Sequence, residues 1–471
     1  MTRNIKIAFI QRGWEDNLGT LWVSSVLRQQ GFSVSIEVED ARTYRRLAAF
    51  SPGIIGYSCL SGKQQWVFSS IARLKDAGIK ARVIIGGPHA TFFPKLIENP
   101  LVDVICRGEG ELAMLEYARA LDEGTEPYGI KNLCFNLNGT IVRNEPRPLV
   151  EDLDALPFPD RSYYGKYRFL ATNPYKIFIS GRGCPFECSF CFNHALHQLY
   201  GHSATYVRRR SVENVIQELE EVLGQWGIKE ARFSDDHFAL DAGWLGTFAS
   251  AYKARIKRPY TINARADCLD EARIAMLKES GCRLVCFGVE TASEEARNRV
   301  LNKRITDEQI FQAGRLLKKY RIPFLTSNII ALPHETAEQA WKTVEFNQRL
   351  KTDLPWFSLM QYYPGTGIYA YAKEHGLLDE RYNAERIGGY FGHTYLAQEN
   401  AGELENIHAL SILATRVPFL LPLCKYLAKK CRPTILFRLI FKATYLHLTL
   451  ERAHLGIWRL IRWGRYYRKS I

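Results

Sequence analysis

The sequence lacks a long apolar run near its start. MTRNIKIAFIQRGW passes directly into a strand-like segment that is too short and too soon interrupted for a signal peptide. Low-complexity tracts and short repeats are also missing, and 46% hydrophobic and 24% charged residues are typical of folded proteins. The 11 cysteines, apart from one close trio, are spread along the chain, which excludes a disulfide framework. We therefore expect a cytoplasmic protein whose 471 residues form two or three compact units.

Positive charge is concentrated in one terminal segment. Residues 425–471 contain 12 Lys or Arg and one acidic residue, Glu451, so they supply +11 of the formal net charge of +14. The rest of the chain is nearly neutral. A basic domain that binds nucleic acid would carry its charge across a folded surface, so no nucleic-acid partner is expected.

The first 140 residues alternate between strand-like and helix-like segments. Short buried-strand runs such as IKIAFI, GIIGYS and ARVIIGG are each followed by an amphipathic stretch. This alternation predicts a parallel sheet with helices on both faces, which is a Rossmann-like domain over residues 1–140. Its ligand should lie at the carboxyl ends of the strands, where the loops at residues 11–19, 58–61 and 86–91 converge.

A second βα series follows a proline-rich linker, residues 141–170. Five or six further units predict a partial or full βα barrel over residues 171–380, and residues 381–471 are predicted to form a helical, basic C-terminal region. The catalytic face of a barrel is formed by its strand ends and the loops that follow. Those loops are predicted at residues 184–191, 234–237, 265–267, 288–291, 327–328 and 363–366.

Three cysteines stand on one loop of the barrel region. GRGCPFECSFCF places Cys184, Cys188 and Cys191 in C-x3-C-x2-C spacing directly after a predicted strand. Three thiolates can bind three irons of a cubane and leave the fourth iron open to a ligand. A structural zinc site would need a fourth protein ligand, for which His194 is the only close candidate, and unliganded thiols are the remaining alternative.

This motif resembles that of the radical S-adenosylmethionine (SAM) superfamily, C-x3-C-x-aromatic-C, with Phe190 as the aromatic residue. The resemblance implies a four-iron, four-sulfur cluster that binds SAM at its open iron and cleaves it to a 5′-deoxyadenosyl radical. It also implies an external electron donor such as flavodoxin or ferredoxin. Beyond the cluster ligands no catalytic residue is assigned.

Further SAM contacts follow from position within the same resemblance. The backbone near Phe190 would face the adenine, and FSDDHF would contact the methionine moiety. FGVET corresponds to a Gly-x-Glu element, and Asn328 stands near the ribose-binding strand end. The predicted contact residues are Phe190, Ser234, Asp235, Asp236, Glu290 and Asn328. An alternative is that these polar side chains cap the helices that follow them.

Two segments depart from the family pattern. Gly-Leu-Pro-Gly-Glu is replaced by ALPHE, with Ala331 and His334 at the glycine positions, and PYPGTPLY is replaced by YYPGTGIY. We therefore expect an altered shape of the loop on the adenine side. A lone His334 is read as a surface or hydrogen-bonded residue, or as an acid or base that reaches substrate.

The first domain resembles the cobalamin-binding domain that precedes the barrel in the B12-binding radical SAM enzymes. The matching segments are NLGTLWVSSVLRQQGFSV, GIIGYSCLSG, IIGGPHAT and ICRGEGE. The predicted cobalamin contacts are the hydroxyls of Ser58 and Ser61 and the backbone at Gly86 and Gly87. The loop QRGWEDNLG contains no histidine for the lower face of cobalt, so cobalamin is expected without a histidine ligand, with Arg12 or Trp14 approaching that face. The alternative is a Rossmann domain that has lost its ligand or binds another nucleotide.

The basic C-terminal region mixes Lys and Arg with Trp, Tyr, Phe and Leu at roughly helical intervals. This pattern fits a helix in a membrane interface, at the inner face of the membrane, or a helical extension packed on the barrel with a basic outer face. The resemblance implies methyl transfer to an unactivated carbon of a small molecule, a lipid or another hydrophobic metabolite. Alternatives are ring closure, ring contraction or rearrangement without methyl transfer, and a non-catalytic cobalamin or redox sensor.

Overall fold

The computed structural model describes residues 3–13, 16–201, 204–384, 387 and 389–453. These residues form two compact units. One contains the described residues up to Ile177 together with Leu196–Arg210, and the other contains Phe178–Ala195 together with the described residues from Ser211 onward.

The first unit is built on a seven-stranded sheet with the order β2-β1-β3-β4-β5-β6-β7. Its strands are β1 (Lys6–Gln11), β2 (Ser33–Val38), β3 (Ile54–Ser58), β4 (Arg82–Gly86), β5 (Val104–Cys106), β6 (Leu133–Leu137) and β7 (Thr140–Arg143). The first five strands pair in parallel, and β6 and β7 add an antiparallel hairpin at the edge. The helices are α1 (Leu18–Gln29), α2 (Thr43–Phe50), α3 (Gln64–Asp76), α4 (Gly87–Phe92), α5 (Glu111–Glu123) and α6 (Arg168–Ala171).

The strand order of the first sheet reverses between β1 and β3, because the chain adds β2 on one side of β1 and all later strands on the other. Crevices at such a reversal, outside the carboxyl ends of parallel strands, are where doubly wound sheets bind ligands. The strands that border it are almost wholly buried, as expected for a parallel sheet covered on both faces.

A second, six-stranded sheet has an order that follows the chain, and its residues from Phe178 onward belong to the second unit. Its strands are β8 (Tyr175–Phe178), β11 (Glu230–Phe233), β12 (Tyr260–Ala264), β13 (Cys282–Glu290), β14 (Phe324–Ile330) and β15 (Leu354–Leu359), and two-residue strands β9 (Gly181–Arg182) and β10 (Arg208–Arg209) come between β8 and β11 in the chain. The pairings from β11 to β15 are parallel. Among the described residues β8 and β15 stand at opposite ends of the order, so the sheet is a partial barrel.

Helices follow the strands of the second sheet. They are α7 (Phe192–Leu199), α8 (Val212–Trp226), α9 (Ala242–Arg255), α10 (Glu271–Glu279), α11 (Asp307–Lys319), α12 (Ala337–Leu350) and α13 (Gly367–Glu374). The helices α8, α9, α11 and α12 begin at Ser, Asp or Thr side chains that accept hydrogen bonds from the first turn. These caps fix where each helix leaves its strand-end loop.

Three C-terminal helices complete the second unit: α14 (Ala401–Arg416), α15 (Leu421–Lys430) and α16 (Ile435–Ala453). The helix α14 is largely buried and packs against α12, β15, α15 and α16. In the part of the chain that the structure describes, no helix combines the length and the apolar character needed to cross a membrane.

The predicted architecture is confirmed: a Rossmann-like first domain, a partial βα barrel and a helical C-terminal region. The predicted domain boundaries stay predictions. The hairpin of β6 and β7 was not predicted, and residues 454–471 of the basic segment lie outside the described residues.

Candidate functional site

The three predicted cluster cysteines lie on the loop between β8 and α7, at the strand-end face of the second sheet. Cys188 is buried, and Cys184 and Cys191 are half-buried. Burial raises the pKa of the Cys184 thiol to about 12 and that of Cys191 to about 11, and the charges of Asp236 and of neighbouring cysteine thiolates add to both shifts. The loop therefore brings the three thiols together in a partly dehydrated setting.

Two later segments, residues 300–302 and the start of α13, hold the cysteine loop in place. The Ser189 hydroxyl donates to the Val300 carbonyl at 2.6 Å, and the Ser189 N–H donates to the Leu301 carbonyl at 3.0 Å. The Asn302 side chain donates to the Glu187 carbonyl at 2.8 Å, and the Ile368 N–H donates to the Ser189 carbonyl at 2.9 Å. These hydrogen bonds fix the backbone of the loop at Glu187 and Ser189.

Two cationic side chains lie beside Cys188. The Arg265 guanidinium, at the end of β12, donates to Cys188 Sγ at 3.7 Å and lies 3.6 Å from the centre of the Phe186 ring. Asp267 holds the guanidinium through contacts of 3.0 and 3.1 Å. Burial raises the pKa of the Cys188 thiol, while Lys303 and Arg265 lower it. These cations therefore favour the thiolate, the form that binds iron.

Glu290 lies at the end of β13 and is buried against Lys303, with which it forms a short ion pair. Its φ is +64°, a left-handed conformation that a glutamate adopts only at a cost. A Cβ on Gly288 would collide with the Glu290 carboxylate and with the Lys303 ammonium. The glycine of the Gly-x-Glu element is therefore required by this ion pair.

The predicted contacts at the end of β11 separate into different roles. The Asp235 carboxylate is buried and accepts from the Ser180 N–H at 3.0 Å and from the Ser180 hydroxyl at 2.5 Å. The Asp236 side chain is exposed and accepts hydrogen bonds from the Gly183 N–H and the Asn193 side chain, both near the cysteines. Ser234 is exposed as well. Asp235 thus connects two strand ends, and Asp236 faces the cysteine loop.

Asn328 faces away from the strand-end loops. Its amide donates to the Trp356 carbonyl at 3.0 Å and accepts from Asn347 of α12 at 2.7 Å, and its side chain is fully buried. Thr326 joins the same network, so Thr326 and Asn328 share the helix-covered face of β14. The placement of Asn328 near the ribose-binding strand end stays a prediction, and the half-buried Ser327 is the β14 side chain on the opposite face.

Helix capping, the alternative role for these polar residues, is wrong. The N-terminus of α9 is capped by Asp241, which accepts from the Trp244 N–H at 2.9 Å, and α12 is capped by Thr336. Neither cap belongs to the predicted SAM contacts.

Phe190 is half-buried and packs against the core cluster that includes residues of α12 and α14.

The loop of residues 331–336, which reads ALPHET and is called the ALPHET loop, follows β14. Ala331 and His334 have φ values of +68° and +61°, so both residues take the left-handed conformation that glycine favours. The expected change of loop shape stays a prediction. The buried Glu335 carboxylate accepts from the Ala331 N–H at 2.7 Å and the Leu332 N–H at 3.2 Å, and burial raises its pKa to about 8. His334 is exposed.

In the first unit, the loops after β3 and β4 lie against each other. The Ser61 hydroxyl and His89 Nδ1 are 3.1 Å apart, and the His89 N–H donates to the Cys59 carbonyl at 2.9 Å. A Cβ on Gly87 would come within 3.0 Å of the Cys59 backbone and the Ser58 hydroxyl. The predicted cobalamin residues therefore converge at one edge of the sheet.

The loop after β1 is anchored by linker residues. The Tyr164 hydroxyl donates to the Gln11 side chain at 3.1 Å and accepts from the Asn17 N–H at 3.1 Å, and Arg161 lies 3.5 Å from the Asp16 carboxylate. Trp14, one of the two residues predicted to approach cobalt, lies outside the described residues. His89 is buried, and burial lowers its pKa to about 4, so it stays neutral.

Comparison with known proteins identifies both units. The family model of the Radical SAM superfamily matches residues 178–346, and that of the B12 binding domain matches residues 13–118. An uncharacterized methyltransferase of Pyrococcus horikoshii is 31% identical over 379 residues, covering 77% of this chain and 79% of the relative. The chain belongs to the cobalamin-binding radical SAM enzymes. The family is defined by cobalamin and by SAM bound at a four-iron, four-sulfur cluster.

A second relative shares less sequence with this radical SAM enzyme. The anaerobic magnesium-protoporphyrin IX monomethyl ester cyclase of Rubrivivax gelatinosus is 26% identical over 351 residues, covering 71% of this chain and 60% of the cyclase. Two solved structures share the fold. The methyltransferase TsrM of Kitasatospora setae, with cobalamin and a cluster bound, has a TM-score of 0.66, 19% identity and coverage of 80% and 75% of the two chains. OxsB, with aqua-cobalamin and SAM bound, has a TM-score of 0.70, 16% identity and coverage of 96% and 71%.

The residues of the radical SAM enzyme fit the cluster. A cubane places each of three thiolates on a different iron, so the cysteines need not converge on one point. No three His, Cys, Asp or Glu side chains among the described residues converge on the position of a single metal ion. The cysteine loop also has what an anionic cluster needs, since N–H groups, Arg265 and Lys303 lie around the thiols.

Sequence reasoning missed Arg265 and Lys303. Arg265 had been placed on a strand-end loop without a role, and the signal for it was its position directly after the strand PYTINA. Lys303 lies in a loop between the turn at Ala296–Val300 and α11, where no sequence signal distinguishes it from a surface lysine.

Proposed function

We propose that this enzyme is a radical SAM C-methyltransferase whose cluster is bound by Cys184, Cys188 and Cys191. The observation that carries the proposal is the clamped cysteine loop, which holds three thiols together beside a buried cationic pair at the strand-end face of the barrel sheet. The similarity to a methyltransferase over most of the chain supports the choice of reaction. The domains proposed for this enzyme are a cobalamin-binding domain at residues 1–140, a linker at 141–170, a radical SAM barrel at 171–380 and a helical, basic C-terminal region at 381–471.

When bound, the cluster and SAM supply a 5′-deoxyadenosyl radical that removes hydrogen from carbon, and methylated cobalamin supplies the methyl group. The residues of the chain bind and orient these groups. Arg265 and Lys303 stabilise the Cys188 thiolate, and Asp267 holds the Arg265 guanidinium in place. Glu290, restrained by Lys303, presents the carboxylate of the Gly-x-Glu element at the end of β13 as a SAM contact.

The remaining contacts of the proposal differ in how directly they act. Phe190, Ser234, Asp236 and Glu290 are the direct SAM contacts, and Asp235 and Asn328 act by holding strand ends in position. For cobalamin the proposed contacts are Ser58, Ser61, Gly86 and Gly87, at the edge where the loops after β3 and β4 converge. Cobalamin is proposed to bind without a histidine below the cobalt, since the loop after β1 contains none.

A second candidate reaction is ring closure or another rearrangement without methyl transfer. The similarity to an anaerobic cyclase favours keeping it, because that relative shares 351 aligned residues with this chain. The two reactions differ in their SAM products. Methyl transfer consumes a second SAM and yields S-adenosylhomocysteine, whereas a rearrangement yields 5′-deoxyadenosine alone.

The proposal includes two partners. An external one-electron donor such as flavodoxin or ferredoxin reduces the cluster, because reductive cleavage of SAM consumes one electron. The substrate is a small molecule, a lipid or another hydrophobic metabolite, and peripheral attachment at the inner face of a membrane would bring a lipid substrate to the enzyme. Exposed apolar side chains on the C-terminal helices support this substrate class.

Anaerobic reconstitution with iron, sulfide, cobalamin and SAM tests the proposed reaction. Under reducing conditions we expect 5′-deoxyadenosine. We also expect S-adenosylhomocysteine, because a second SAM would methylate cobalamin again after each turnover. Absence of 5′-deoxyadenosine from a protein with full cluster absorbance would refute the radical mechanism. Formation of 5′-deoxyadenosine without S-adenosylhomocysteine would favour the rearrangement.

Cysteine variants test the cluster ligands. Cys188→Ala should lose the iron-dependent visible absorbance and all 5′-deoxyadenosine formation, because only two thiolates remain. Cys431→Ala is the matched control, since Cys431 is exposed in the turn before α16 and far along the chain from the motif. Full absorbance in Cys188→Ala would refute the assignment.

A further inference from the structure

The C-terminal helices carry large apolar side chains on their outer surface. Phe419, Leu423 and Tyr426, spaced i, i+4 and i+7, lie on one side of the segment that contains α15, and Phe419 is 80% exposed. On α16 the exposed apolar residues are Ile435, Leu436, Leu439 and Leu446, with Ile435 75% exposed. We call these seven residues the C-terminal apolar face.

The opposite sides of the same helices are already packed. α15 buries Cys424 and Ala428, and α16 buries Phe437, Phe441 and Leu448. The ring of Phe441 lies 4.5 Å from that of His408. Because the inner sides account for attachment to the unit, folding does not explain the exposed residues.

The charged side chains of the segment that carries the C-terminal apolar face are all positive. Residues 418–446 contain six Lys or Arg and no Asp or Glu. Lys425 pairs with Glu345 at 2.7 Å. The other five are Lys429, Lys430, Arg432, Arg438 and Lys442, for which the described part of the chain offers no ion-pair partner. Unneutralised cations beside exposed leucines and aromatic rings complement an anionic surface with an apolar interior.

We propose that the C-terminal apolar face binds an anionic lipid bilayer, with α15 and α16 lying in its interface. A second copy of the chain is a poor occupant, because two faces of the same positive sign repel. A spanning arrangement is excluded for the described helices by their hydropathy and charge. The proposal goes beyond methyl transfer and needs neither cofactor, so the failure of one leaves the other standing.

Vesicle flotation of the full-length protein without cofactors tests the proposal. We expect the protein to float with vesicles of phosphatidylcholine containing roughly one third phosphatidylglycerol, to remain unbound with phosphatidylcholine alone, and to bind less as salt rises. Replacing four exposed residues together, as Phe419→Ser, Leu423→Ser, Leu436→Ser and Leu439→Ser, should lower the bound fraction about tenfold or more. Truncation is unsuitable, because α15 and α16 also contribute Cys424, Phe437 and Phe441 to the core of the unit.

Charge variants provide the matched comparison. Arg438→Glu with Lys442→Glu should abolish flotation, whereas Lys229→Glu with Lys253→Glu, which removes the same charge from exposed positions elsewhere in the unit, should not change it. Circular dichroism checks that all variants are folded. If the serine variant unfolds, the Arg438→Glu, Lys442→Glu variant alone tests the proposal. Equal flotation of wild type and charge variants, binding to neutral vesicles alone, or no binding to anionic vesicles overturns the proposal. So does a dimer, seen by light scattering, that these substitutions dissociate.

Discussion

Glu335 provides a test of the ALPHET loop through pH. Its carboxyl group is buried, and burial raises its pKa from 4.5 to about 8 despite hydrogen bonds from the Ala331 and Leu332 N–H groups. In the unfolded chain the same group ionises near its ordinary value. Between these two pKa values the folded state keeps a proton that the unfolded state releases, so stability falls as pH rises.

The magnitude follows from the difference between the two pKa values. Each unit corresponds to about 1.4 kcal/mol, so full ionisation costs up to about 4–5 kcal/mol above pH 8. Glu335→Gln keeps a carbonyl oxygen to accept from both N–H groups and cannot ionise. We therefore expect the variant to match or fall slightly below the wild type at pH 5 and to exceed it at pH 9.

Thermal unfolding of both proteins at pH 5, 7 and 9 measures this effect. For a unit of this size each kcal/mol moves Tm by about 2–4 °C, so the difference between variant and wild type should change by roughly 8–15 °C across the range. Glu338→Gln, an exposed carboxylate paired with Lys342, is the control and should show no such change. A constant difference between Glu335→Gln and wild type from pH 5 to 9 would refute the reasoning.

Three further changes address the site. Gly288→Ala should abolish 5′-deoxyadenosine formation with cluster absorbance intact, because the new Cβ displaces the buried Glu290–Lys303 pair. Gly224→Ala, with open space around its Cβ, is the control and should leave both unchanged. Activity in Gly288→Ala contradicts the role of the ion pair. His334→Gly should raise the free energy of unfolding by about 0.5–1 kcal/mol in denaturant titration, since a left-handed residue becomes glycine, and a decrease contradicts the strain. Arg265→Met should shift the midpoint potential of the cluster to more negative values because a positive charge beside Cys188 is lost, and an unchanged potential in a redox titration refutes that role.

The cysteine loop was predictable because its ligands are contiguous in the sequence. A C-x3-C-x2-C spacing with an aromatic neighbour determines both the loop and its chemistry. Arg265 and Lys303 were not predictable in the same way, since they reach Cys188 from loops that are 77 and more residues away. Only the fold brings such residues together, and no local pattern marks them.

Asn328 shows what strand periodicity alone leaves open. The strand end was placed correctly, but the alternation of faces puts Thr326 and Asn328 together, and both contact Asn347 of α12. The presence of a buried asparagine on the covering helix could not be inferred from the strand alone. Ser327 was the alternative that the alternation offered.

The first domain was predictable in its loops and less so at its edge. Glycines and serines after β3 and β4 indicated the ligand side, and the structure brings those loops together. The hairpin of β6 and β7 was missed because its strands are short and one of them is only half-buried, which leaves little periodicity to detect.

The clamp on the cysteine loop bears on the order of events during biogenesis. Ser189 depends on the carbonyl of Val300, 111 residues further along, and on a partner at Ile368 that is translated later still. While the chain is being made, the thiols leave the ribosome well before the groups that shape their loop. A chain interrupted before residue 300 would therefore carry the complete cysteine motif without the groups that shape its loop.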